Sequence, residues 1–329
     1  MALIALEEHI VTRDVRAAWS RLSPAQRADS PAETPGDDIE RRLSDWSAQR
    51  IADMDETGVD IQVLSLTAPG VQNLDRKMAV PLARDTNDII AAAVAGRSDR
   101  FQGFATLATP DPAQAAKELQ RAVDTLALKG AMLCGRTGER NMDDPVFWPI
   151  YEAAASLRVP LYIHPQVPRK SVRDAYYSGF GDKLDALFAT AGLGWHYETG
   201  VQLLRLAMAG TFDRLPDLQV VVGHWGEVVL FYLERIEILS KAGLKLERPL
   251  AEVFRRNVSY TPSGIFSQRY LRQTIDTVGV DRVMFSADYP FQFAGDAGAR
   301  RFLEAGDLTP DMRERIGHGN WERLTSRTS

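Results

Sequence analysis

Three of the five histidines in this chain stand where short apolar runs end: His9 after LIALEE, His164 after PLYI and His224 after VVVG. A fourth such run, VMFSA, ends in Asp288. Glu7 lies two residues before His9, so strand alternation puts both on one face, with Leu3 and Ala5 ahead of them. Imidazole and carboxylate are the ligand types of a borderline divalent cation such as zinc or manganese. Glu7, His9, His164 and Asp288 can converge on one ion. His224 would then stand beside it as an acid/base group.

These residues need elements that bring them together. Apolar, β-rich runs at 3–8, 61–67, 101–107, 130–134, 160–164, 218–224, 258–261 and 282–288 alternate with helical patterns. Eight parallel β/α units in one chain predict a single (β/α)8 TIM-type barrel spanning residues 1–329, with a loop insertion after the first strand. In that fold, functional groups gather at the C-terminal ends of the strands. Asp111-Pro112 and Asp144-Pro145 are helix starts, each an acidic N-cap before a proline. The polar stretch 25–38 reads as a loop, and 165–194 as a second irregular segment.

Composition narrows the function further. In 329 residues, 45% are apolar and 25% charged, an ordinary globular balance. Lys and Arg total 39 against 44 Asp and Glu, a net charge of -5 without a basic patch, which argues against a nucleic-acid partner. A lone cysteine, Cys134, leaves no disulfide framework and no CxxC zinc site. Together with a start free of any basic leader and apolar runs too short for a membrane span, it predicts a cytoplasmic protein.

Other residues of the same types have plainer readings. Glu8 alternates to the opposite face and would cap or pair with a neighbouring loop. His196 reads as a loop or helix-start residue. His318 reads as structural, with Asn320 capping the last helix. Cys134 ends the fourth strand, as a pocket residue or a small buried hydrophobe. Trp19 and Trp46, in the 10–46 insertion that shapes the pocket entrance, read as buried packing residues, with contact to a substrate ring as the alternative.

The stretches ALEEH (5–9), RIADMDETGVD (50–60), LSLTAPGVQ (64–72), YIHP (162–165), ETG with LLRL (198–206), GHWGE (223–227) and FSADYPF (285–291) span nearly the whole chain. In this order they resemble the amidohydrolase superfamily. More narrowly, they are similar to its decarboxylase branch, which holds the γ-resorcylate, 2,3-dihydroxybenzoate, 5-carboxyvanillate and aminocarboxymuconate semialdehyde enzymes. The resemblance implies a metal on Glu7, His9, His164 and Asp288, with Asp288, His224 and Glu227 working on substrate. It places Arg235 where relatives carry an arginine, serving the pocket or a neighbouring subunit, and adds Cys134 as a substrate-side residue. Binuclear barrel hydrolases carry a lysine at the end of the fourth strand; Cys134 stands there, so one ion is expected.

The implied reaction is non-oxidative loss of CO2 from an ortho-hydroxy aromatic acid, in a homodimer or homotetramer. Glu-x-His replaces the His-x-His of the aminocarboxymuconate enzyme, as in resorcylate-type relatives. Cys134 stands in place of asparagine and Trp225 in place of methionine, both changes to the pocket. The rival enzyme reading is a mononuclear hydrolase of an amide, ester or lactone that uses the same residues. A non-catalytic metal- or ligand-binding scaffold is the third reading.

Overall fold

Strand after strand in this chain carries apolar residues on both faces, and such strands are stable only when covered on both sides. The computed structural model describes residues 1–29 and 36–326. Eight strands, β1 (Ile4–Ile10), β2 (Ile61–Leu66), β3 (Phe101–Gly103), β4 (Ala105–Thr106), β5 (Ala131–Cys134), β6 (Leu161–His164), β7 (Val220–Val222) and β8 (Val258–Tyr260), pair in parallel as β1-β2-β3 and β4-β5-β6-β7-β8. The expected third strand is therefore one run interrupted at Phe104, which stays tied to β2 through its amide and the Leu64 carbonyl (2.9 Å).

The ring closes through residues 283–289. Val283 bridges Tyr260, Phe285 bridges Ala5, and Tyr289 bridges Glu8, all in parallel. This last element was expected as a continuous strand over 282–288. It makes only isolated bridges, and Asp288 at φ +62° ends the extended run ahead of the last of them, at Tyr289. The result is a closed (β/α)8 barrel, and the strand C-termini share one rim.

One departure from simple alternation decides the site. The pairing of β1 with β2 shifts between Ala5 and Glu8: Ala5 stands opposite Gln62, but Glu8 opposite Leu64. β1 thus holds one extra residue there, a bulge. Ahead of it Ile4 and Leu6 point inward, packed with Val63, Met132, Tyr162, Val221 and Met284. Leu3 and Ala5 face the outer helices, contrary to the expectation that they share a face with Glu7 and His9. The bulge re-aims the strand so that Glu7 and His9 follow Leu6 inward.

The outer helices follow their local signals. Asp111 caps Pro112–Asp124 by accepting from the Gln114 amide (3.3 Å), and Ala115, Leu119 and Val123 are buried. Asp144 accepts from the Val146 amide (3.0 Å) and opens a short turn that leads into Trp148–Leu157. The stretch after β1 is more helical than expected, with Arg13–Ser20, Pro24–Asp29 and Asp37–Ser44. Val15, Ala18, Leu22 and Leu43 there form an apolar cluster with Leu66, Val71 and Ala79. Residues 30–35 of the expected loop lie outside the described residues. The 165–194 segment also holds two helices, Lys170–Tyr176 and Asp182–Ala189.

Asn320 is not a cap. Its amide donates to the Val280 and Val283 carbonyls (2.8 and 2.7 Å) and ties the last helix to the closing segment. His318 bonds Glu322 on the surface (3.0 Å). Trp19 and Trp46 each satisfy their indole N–H on a backbone carbonyl, of Gly70 and Leu43 respectively. No helix among the described residues is long and apolar enough to cross a membrane.

Candidate active site

At the strand C-termini the barrel interior turns from apolar to polar. Glu7 and His9 are fully buried, and His164 and Asp288 nearly so. One ligand atom from each of the four lies within 4.8 Å of the others. His9 Nε2 is 3.4 Å from Asp288 Oδ1, and His164 Nε2 is 3.3 Å from Glu7 Oε1. The two imidazoles meet edge to face, with centroids 4.7 Å apart.

Each of these side chains is aimed from behind. Glu7 Oε2 accepts from the Tyr162 hydroxyl (2.6 Å) and from Ser263. Tyr162 in turn meets Thr261 Oγ1 (2.7 Å). A Cβ at Gly223 would press on Ser263 and come within 2.9 Å of Glu7 Oε2, so glycine there leaves room for the carboxylate. His164 Nδ1 faces the Pro165 carbonyl (2.8 Å), which can only accept, so Nδ1 carries the proton and Nε2 presents a lone pair. Arg50 donates to the His9 carbonyl (2.5 Å). Glu8 does pair with its neighbours: it accepts from Gln62 Nε2 (3.0 Å) and from the Ala287 amide (2.8 Å), which steadies the residue before Asp288.

Both imidazoles are held neutral. Burial, then the nearby His164, pushes His9 well below the usual imidazole range. Burial, then His224, pushes His164 down to about 4. Two carboxylates with two neutral imidazoles suit a divalent cation. The fit shows in what is unsatisfied: Glu7 Oε1 and His9 Nε2 are buried without a hydrogen-bond partner. Buried polar atoms without a partner are costly, and a cation between them removes that cost.

A second polar cluster adjoins the first. His224 was expected as the last residue of a strand; it lies past β7, in a left-handed turn. His224, Trp225, Gly226, Glu227 and Val228 all have positive φ, from +47° to +90°. For the four non-glycine residues this costs roughly 1–2 kcal/mol each. The turn is held by the Trp225 amide on the Thr261 carbonyl (3.0 Å) and by the Trp225 indole on the Ile265 carbonyl (2.8 Å). It brings His224 Nδ1 to Glu227 Oε1 at 2.7 Å and leaves Nε2 4.0 Å from Asp288 Oδ2. Burial alone would lower His224, yet the charge and hydrogen bond of Glu227, with Glu7 and Asp288, raise it to about 10. Burial alone would raise Glu227, and the two histidines beside it bring it below the usual carboxylate range.

The second of those histidines is His196, in the first turn of Gly194–Met208. It does sit at a helix start, but its Nδ1 reaches Glu227 Oε2 at 2.7 Å. Sequence reasoning gave it no site role, and also missed Tyr162, Thr261 and Ser263. The only available signal was histidine's scarcity, five in the chain.

Cys134 closes β5 opposite His164, and burial, then the charge of Glu7, pushes its thiol up to about 12. It is a buried neutral group beside the cluster. Arg235 is exposed on the short helix Leu233–Ile236, outside both clusters. Trp225 lines, with His196, His224 and Ile265, a cavity of about 260 Å³.

The amidohydrolase family model matches residues 14–324. A γ-resorcylate decarboxylase from Polaromonas is 34% identical over 334 residues, covering 98% of this chain and 97% of the relative. The structure of 5-carboxyvanillate decarboxylase from Sphingomonas paucimobilis is 35% identical, covers 99% of both chains and superposes with a TM-score of 0.90. A dihydroxybenzoic acid decarboxylase from Polaromonas, solved with manganese and the inhibitor 2-nitroresorcinol, is 32% identical over 98% of this chain and 96% of that one, with a TM-score of 0.86.

Proposed function

The chain belongs to the amidohydrolase family, and from that premise we propose that it is a metal-dependent carboxy-lyase that releases CO2, without oxidation, from an ortho-hydroxy aromatic acid of the hydroxybenzoate type. The observation that carries this reading is the pair of buried atoms without partners, Glu7 Oε1 and His9 Nε2, facing His164 and Asp288. Glu7, His9, His164 and Asp288 would hold one divalent ion. Manganese is preferred over zinc, since it is the ion in the Polaromonas relative. Bound there, the ion supplies Lewis acidity and a template for the carboxylate and the adjacent phenolic oxygen.

Direct cleavage of the C–C bond would leave an aryl carbanion whose lone pair lies in the ring plane, out of reach of the π system. Protonating the ring carbon first avoids it, and CO2 then leaves as aromaticity returns. Asp288 is the proton donor in this reading. A carboxyl group beside a cation resists holding a proton. Asp288 would therefore serve as donor only with a proton that arrives together with the substrate. His224, fixed by Glu227 on Nδ1 and held protonated, keeps its Nε2–H for donation to the substrate's phenolic oxygen. Cys134 would border the ring as a neutral, compact wall.

Hydrolysis of an amide, ester or lactone could use the same residues. The relatives named above are decarboxylases, and no feature of this site favours hydrolysis over that reading.

The chain is one domain and one protomer of a homodimer or homotetramer in this reading. Phe231, Tyr232, Ile238 and Leu239 are exposed around Arg235, a face that suits a second copy. Arg235 would then act across that contact. The lone free cysteine, buried, supports a cytoplasmic location.

The test is a panel of ortho-hydroxy aromatic acids with manganese-loaded protein, following CO2 and the arene product. Stoichiometric CO2 with loss of the substrate's ultraviolet band is expected. Hydrolysed product without CO2, from a parallel ester and lactone panel, would replace this reading with the hydrolase.

A further inference from the structure

Glu227 has two carboxylate oxygens, and only one is spent on His224. The other is bound just as closely by His196 Nδ1, again at 2.7 Å. The two imidazole rings lie 4.6 Å apart at 63°. His224 and Glu227 share one strained turn, but His196 comes from a separate element, the start of Gly194–Met208. Gly200 of that helix lies so close to the Glu227 carbonyl that any Cβ would clash with it. Helix and turn are therefore pressed together at this point, and the His196–Glu227 bond is the polar part of that contact.

The far side of His196 is also unusual. Its Nε2 lies 3.2 Å from the Trp195 indole N–H and 3.3 Å from the Ala191 carbonyl. The indole can only donate and the carbonyl can only accept. Neutral His196, with its proton on Nδ1, receives the indole. Charged His196 donates to the carbonyl instead. Either state keeps Nδ1–H on Glu227, so the grip on the carboxylate does not depend on the charge of His196.

We propose that His196 is a positioning residue for the decarboxylation reaction: by binding Glu227 Oε2 it locks the carboxylate so that Oε1 stays on His224 Nδ1 and His224 Nε2 stays turned toward Asp288. This rests on the decarboxylase reading. Without His196, the buried carboxylate has one oxygen uncompensated, and only the bond to His224 resists rotation about its last bond. The strained turn then loses the side-chain tie to its neighbouring helix.

Two variants and two readouts test it. His196→Phe keeps a ring beside His224 and removes the donor. His196→Asn returns an N–H near the place of Nδ1. With manganese-loaded enzyme, His196→Phe is expected to lower kcat by about 10–100-fold, the usual effect of removing a supporting partner, with KM and bound manganese unchanged. His196→Asn should hold kcat within about threefold of the parent. The second readout is the proton resonance of His224 Nδ1–H in 15N-histidine-labelled protein loaded with diamagnetic zinc in place of paramagnetic manganese, which needs no turnover. It should move upfield or broaden in His196→Phe and stay in place in His196→Asn.

Unchanged kcat and an unchanged resonance in His196→Phe would overturn the proposal. So would equal kcat losses in the two variants, or loss of manganese from either. If the parent enzyme releases no CO2 from any acid tested, the decarboxylase reading falls, and the resonance alone still decides whether His196 holds Glu227.

Discussion

The four-residue cluster at the barrel mouth and the His196–Glu227–His224 cluster beside it use the same side-chain types and do opposite things with them. In the first, atoms that want partners lack them: Glu7 Oε1 and His9 Nε2 are buried and unpaired by any hydrogen bond. In the second, both carboxylate oxygens are matched by an imidazole nitrogen. Either group, by proximity alone, could hold a metal ion. Hydrogen-bond satisfaction separates them. The first is built to receive a cation, and the second is already internally neutralised and built to hold an orientation.

The largest effect expected from this contrast is on metal. Chelation, or His164→Ala, should take CO2 release below detection, and manganese should restore the chelated parent but not the variant. His224→Ala should keep its manganese, measured by elemental analysis, and lose roughly 10²–10⁴-fold in kcat, the range for a general acid–base group. If His224→Ala instead lost its metal, the two clusters would be one.

Gly223→Ala sharpens the boundary between them, since the added methyl presses on Ser263 and Glu7 from the residue next to His224. Its manganese affinity, by titration, should fall about 10–100-fold. Tyr162→Phe removes a donor from Glu7 and should cost about 1–3 kcal/mol in the unfolding free energy of the metal-loaded protein.

The last expected effect is in pH. In metal-free protein the His224 imidazole is raised from an ordinary 6.5 to about 10. Its pairing with Glu227 therefore adds stability that is complete below about pH 6.5 and is lost as pH rises through 10. Denaturant unfolding should show parent and Glu227→Gln drawing together across that window. A gap between them that widens with pH would contradict the pairing.

The two clusters also differ in how legible they were. Glu7, His9, His164 and Asp288 sit at the ends of apolar runs, so pattern and barrel topology were enough to bring them together. Even there the route was partly different. Glu7 and His9 face inward because a bulge follows Ala5, and no alternating pattern announces a bulge. The closing strand was legible as a run of residues but not as a broken one, because the left-handed backbone of Asp288 is imposed by its surroundings.

His224 stands at the end of an apolar run and is legible in the same way, whereas Glu227 follows only from the resemblance. Their geometry depends on five successive left-handed residues, only one of them glycine, and local propensity would not choose that conformation. His196 reads as a loop or helix-start residue because its partner lies 31 residues away on another element. The loop reading covers only 25–38; the helices Arg13–Ser20 and Asp37–Ser44 on either side go unannounced, since their polar sequence hides the few buried positions, Val15, Ala18 and Leu43, that dock them.

The most direct test is the anomalous difference map of a crystal grown from manganese-loaded protein. One peak bounded by Glu7, His9, His164 and Asp288, and none between His196, His224 and Glu227, is the predicted result. A peak in the second cluster, or an empty first one, would contradict the division of labour between them.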